Sequence, residues 1–168
     1  LNDTEFATLV KIYKNKSISM KNISDYSTVT SILQTGYCYN EEDKLMMIDE
    51  ARVALKPLMT QKNQDLHYKY HWVIECIDCA DILYANYSIN HVLALVQQRD
   101  EYKDVSEAEL EAIISELPND IIGFLYDSNT KTYSSTNYSD DELKEIAKLQ
   151  EDKKYKLIQP ELIHTLYS

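Results

Sequence analysis

The chain is poor in residues that break regular structure, with only 2 Gly and 3 Pro among 168 residues. So few glycines exclude a glycine-rich phosphate loop, and no G-x-S-x-G nucleophile elbow occurs. Sparse breakers also favour long elements with few tight turns, which points to helices. Basic charge is short as well: 17 Lys and Arg face 28 Asp and Glu, a net charge of -11. Such a surface repels phosphate backbones and anionic lipid, so direct nucleic-acid and membrane partners are not expected. No apolar run is long enough to span a bilayer. The three cysteines, Cys38, Cys76 and Cys79, make no even disulfide set. A reducing, cytoplasmic compartment is the simpler expectation.

What the chain does hold is apolar residues, at 44%, and tyrosine, 14 times against 2 Phe and 1 Trp. That is enough to bury a core in a chain of one domain, or one with an appendage. Tyrosine suits half-buried faces and recognition surfaces, where its hydroxyl finds a partner.

The stretch from Leu66 to Tyr84 organises the rest. Leu66, Tyr70, Val73, Ile77, Ala80 and Tyr84 recur at steps of three and four, the spacing of one helix face. Trp72, Cys76, Cys79 and Leu83 form a second apolar strip, so this helix is expected to be covered on two sides. A third strip is polar: His67, His71, Glu75, Asp78 and Asp81. The first four fall within about 80° of arc at 100° per residue.

Around this helix the pattern predicts a mainly α fold. The expectation is a helical bundle over residues 1–117 and a small mixed α/β lobe over 118–168, with a boundary near Pro118. A first helix should follow Asp3 or Thr4, and a second should follow Ser24 or Asp25 and stop at Gly36. Asn40 with Glu41, Glu42 and Asp43 reads as the start of a third helix that Pro57 ends. Beyond Tyr84 the pattern weakens at Asn86 to Asn90 and resumes at His91, so one helix of unusual length or two in sequence fit. Capping boxes at Ser106–Glu109 and Ser139–Glu142 open two further helices. Ile121–Tyr126 and Lys131–Ser134 read as strands, Lys156–Ile158 as a third, and 160–166 as a short last helix.

Two constellations are candidate sites. His67 and His71, four apart, can reach one metal ion, and Glu75 is a third ligand one turn on. Glu75, Asp78 and Asp81 could hold Mg²⁺ beside a phosphate substrate. The run Glu75-Cys-Ile-Asp78-Cys-Ala-Asp81 resembles the E-x-x-D helix of the all-α nucleoside triphosphate pyrophosphohydrolases. That resemblance implies a helical, magnesium-dependent enzyme with a second acidic pair on an earlier helix. Glu42, Asp43, Asp49 and Glu50 lie there, without that family's E-x-x-E spacing. The other constellation is Tyr133 and Tyr138 beside Asp140, Asp141 and Glu142, an aromatic and acidic surface of the kind found at protein interfaces. Cys76-Ile-Asp-Cys79 lies in mid-helix and reads as core packing.

Without a catalytic motif, the leading expectation is an acidic protein that binds a basic protein partner, as an inhibitor, immunity-type protein or adaptor. The alternative is a metal-dependent hydrolase with its site on the central helix. A homo-oligomeric assembly subunit is the third option. No organic cofactor is expected, and a divalent metal belongs to the alternative alone.

Overall fold

Local capping signals place most of the helices. The computed structural model describes residues 1–118, 121 and 123–165. Among these the chain is mainly α, with eight α-helices and two small three-stranded sheets. It divides into two compact units, 1–71 and 72–168.

In the first unit the cap of α1 (Asp3–Asn15) is Asn2, in a reciprocal capping box with Glu5, rather than the expected Asp3 or Thr4, which lie within the first turn. The strand β1 (Ser17–Ser19) follows, and Asp25 caps α2 (Tyr26–Gln34) through the Ser27 N–H. Gly36 then takes a left-handed φ of 72° just beyond the helix end, as expected.

The expected third helix from Asn40 is overturned. Those residues form a hairpin of β2 (Cys38–Glu41) and β3 (Lys44–Met47), and α3 (Asp49–Leu55) begins only afterwards. The loop is Glu42 and Asp43, both at positive φ, 48° and 61°. A two-residue loop of this hand matches strand twist. The acids read as helix-start charges are turn residues instead. Leu45 and Met47 point into the core while Lys44 stays out, the alternation of a strand. β3 is central, antiparallel to both β1 and β2. The core behind it includes Leu9, Ile12, Val29, Ile32, Leu45 and Leu55.

The helix expected over 66–84 is present as α4 (Gln61–Tyr84). The division between units falls inside it, after His71. Trp72, Val73, Cys76, Ile77, Cys79 and Ala80 are buried, whereas Leu66, Ile82 and Leu83 are exposed. Its apolar coverage is thus strongest in the middle.

In the second unit β4 (Asn86–Ser88) leads into α5 (Ile89–Val96) and then α6 (Glu107–Glu116), capped by Ser106. Two helices in sequence, α4 and α5, parted by β4, therefore stand in place of one helix of unusual length. β5 (Phe124–Asp127) and β6 (Thr132–Ser135) form the expected hairpin. The third strand of that sheet is β4, not Lys156–Ile158, which is irregular. Hence the sheet draws strands from both sides of Pro118. Ser139 closes its capping box with Glu142 at the start of α7 (Asp140–Gln150), and α8 (Pro160–Thr165) comes last. Residues 119, 120, 122 and 166, which the expected elements touch, lie outside the described residues. No helix among the described residues is long and apolar enough to cross a membrane.

Candidate functional site

The polar strip of α4 makes contacts within each unit. In the first unit the His67 ring stacks on Phe6 of α1 with centroids 3.7 Å apart. Burial, followed by the nearby N-terminal amino group and His71, pushes the His67 imidazole below its ordinary value. It is therefore neutral at pH 7. His71 lies one turn on, its ring parallel to that of His67 at 6.4 Å. Its Nδ1 is 3.0 Å from Asp3 Oδ1 at the first turn of α1. The two histidines thus bind α4 to α1 through a ring stack and an acid contact.

In the second unit Glu75 is buried at 3% exposure, and Asp78 is half-buried beside Ile74, Ile77, Leu117 and Phe124. Asp81, 6% exposed, accepts from three side chains. Its Oδ2 accepts from Ser135 Oγ at 2.7 Å and from Asn137 Nδ2 at 3.4 Å. Its Oδ1 accepts from the Tyr87 hydroxyl at 3.4 Å. Desolvation raises the Asp81 carboxyl above its ordinary value, while the three donors pull the other way. This carboxylate joins the end of α4 to β4, to β6 and to the turn after β6.

No three His, Cys, Asp or Glu side chains among the described residues stand together as a metal-ligand set. Of the acids that the pyrophosphohydrolase resemblance would need on an earlier helix, only Asp49 and Glu50 lie on one, without the E-x-x-E spacing. Glu42 and Asp43 form the hairpin loop, and Asp49 and Glu50 open the short α3.

The five residues of the aromatic and acidic constellation part company. Tyr133 is a core residue, 6% exposed. It stacks on Tyr87 at 5.7 Å, meets Phe124 edge-on at 4.9 Å and lies against Tyr126 at 4.8 Å. Tyr138 is 37% exposed, and Asp140, Asp141 and Glu142 form the exposed first turn of α7. Hydrogen bonds from the Ser139 N–H and hydroxyl hold the Glu142 carboxyl below its ordinary range, so it stays charged. Asp141 meets Lys144 at 3.1 Å on the same helix. None of the residues of α7 is fully buried, and Leu149 near its end is 67% exposed.

Sequence reasoning did not pick out Arg99, whose guanidinium lies 3.7 Å above the Trp72 ring. Nor did it single out His91 and Tyr155, whose rings meet at 3.7 Å. A partner sixty positions away leaves no periodic trace. The three cysteines are free and buried, and burial raises all three thiols, Cys38 and Cys79 to about 11. Compared with known proteins, the chain matches no family model, no curated protein and no solved structure.

Proposed function

We propose that this protein acts by binding a basic protein partner, in the manner of an inhibitor, immunity-type protein or adaptor. The observation that carries the reading is α7. It is an acid-rich surface helix whose first turn presents Asp140, Asp141 and Glu142, with Tyr138 half-exposed just before it. An exposed aromatic beside fixed negative charge offers a partner both contact area and electrostatic steering. The net charge of -11 extends that field over the molecule.

Salt and charge reversal test the reading together. Protein captured from cell lysate by the wild type should be basic, and should be released as salt rises from ~0.1 M to ~1 M, where the screening length shortens from about 10 Å to about 3 Å. The double variant Asp140→Lys, Asp141→Lys should fold normally and lose the capture. Capture that ignores both salt and the double variant would defeat the proposal.

A further inference from the structure

Tyrosines and lysines are gathered in one place in the second unit, around the irregular segment 153–158. Three hydrogen bonds pin that segment. The Tyr84 hydroxyl donates to the Lys156 carbonyl, the Tyr155 hydroxyl donates to the Asn86 carbonyl at 2.7 Å, and Gln98 Nε2 donates to the Ile158 carbonyl at 2.6 Å. The rings of Tyr84 and Tyr155 meet edge to face at 4.8 Å, and His91 packs on Tyr155 from beside.

The result is an open cavity of about 300 Å³. Its walls are the two tyrosine rings with Leu83 and Ile158. Leu83 is 46% exposed although it lies on a helix strip that is otherwise buried. Lys153, Lys154 and Lys156 line the same cavity, and no carboxylate does so among the described residues. In a chain with an excess of acid, three cations stand in four consecutive positions around an apolar hollow, directly after Glu151 and Asp152, which do not line it.

We infer that this cavity is a binding site for a small organic anion. An apolar or aromatic body rests against Leu83, Tyr84, Tyr155 and Ile158, and a phosphate or carboxylate head meets the three lysines. Both tyrosine hydroxyls already donate to backbone carbonyls, so the rings serve as apolar walls rather than as polar contacts. The Gln150 side chain also lines the cavity and donates an amide N–H to the Tyr84 carbonyl, so charge recognition falls to the ammonium groups. Lysines act as point charges with mobile stems, which suits a compact anionic head without demanding one fixed orientation. The volume is at the lower end of small-molecule sites and accepts a body of one or two fused rings. The inference is independent of the partner-binding reading, which needs neither the cavity nor the lysines.

Titration of the full chain with 1-naphthyl phosphate, 1-naphthoate, 1-naphthol and inorganic phosphate tests it, with the methyl resonances of Leu83 and Ile158 as the local readout. The naphthyl anions should bind saturably and shift those methyl groups. Naphthol and inorganic phosphate should each bind at least about tenfold more weakly, a difference of about 1.4 kcal/mol. Whichever of the phosphate and the carboxylate binds tighter identifies the head group. The triple variant Lys153→Gln, Lys154→Gln, Lys156→Gln should weaken the anions about tenfold or more and remove their salt dependence. The separate variant Leu83→Glu, at an exposed position, should weaken them as well with the lysines intact. No saturable binding of either naphthyl anion, shifts confined to other residues, or undiminished affinity in both variants would overturn the proposal.

Discussion

Ser135 donates its hydroxyl to the Asp81 carboxylate across 2.7 Å, so that the last residue of β6 is fastened to the final turn of α4. Both side chains are buried. Ser135→Ala should therefore cost about 1–3 kcal/mol, the range for leaving a buried acceptor short of a donor. Urea unfolding followed by circular dichroism measures it.

The same carboxyl makes stability depend on pH. Its folded value is raised above 3.8, chiefly by desolvation, so folding favours the protonated form. That contribution is complete below the unfolded value and is lost as pH rises through the folded one. Asp81→Asn removes the titration while keeping the shape. Relative to wild type, the variant should be more stable at about pH 7 than at about pH 4, since only the wild type carries the charge at the higher pH. Unfolding midpoints for both proteins across that range give the comparison. Their difference also cancels the general effect of discharging an acidic surface. A difference that stays constant with pH would contradict this.

Trp72 is wholly buried, donates Nε1–H to the Val96 carbonyl at 3.1 Å and carries Arg99 over its face. Arg99→Ala should cost about 0.5–2 kcal/mol through loss of the cation–π contact. Being the chain's one tryptophan, Trp72 reports the change by its own fluorescence. Trp72→Phe should cost more, because the carbonyl loses its donor and the core loses volume.

The hairpin loop offers a gain. Glu42 is an uncommon residue at positive φ, and Asp43 beside it is only somewhat better suited. Replacing the pair by Asn-Gly should stabilise the protein by about 0.5–1 kcal/mol, because Asn and Gly accept that conformation with little strain. Thermal unfolding of the double variant checks it.

The imidazoles and carboxylates of α4 have local neighbours of their own, so Mg²⁺, Mn²⁺ and Zn²⁺ are expected to leave the melting temperature where it is. A rise with one of these ions, lost in Asp81→Asn or His71→Gln, would favour the hydrolase reading instead, since a ligand of the folded state alone raises the transition.

Helices were legible wherever caps and periodicity agreed. Asp25, Ser106 and Ser139 each accept at a helix start where a cap was expected, at α1 the cap lies one residue earlier, at Asn2, and α4 carries its apolar positions at steps of three and four. The misreading at Asn40 came from one signal with two physical uses. Acids favour the first turn of a helix, and short polar residues also tolerate a left-handed loop. The alternation of Lys44, Leu45 and Met47 was the clue that separates them. On the candidate strip, spacing located the face but not the neighbours. Asp3, Ser135 and Asn137 reach it from distant positions, and no periodicity encodes them.

Strand β4 closes its sheet only against β6, and Ser134 reaches Asn86 from 48 positions further along. A ribosome would therefore release Tyr87 and Asp81 well before their cross-strand companions exist. Nascent chains ending short of Ser135 should hold an uncovered tyrosine face and a carboxylate lacking its closest donor, so the β4–β6 pairing and the Asp81 network are completed only once Ser135 has been made.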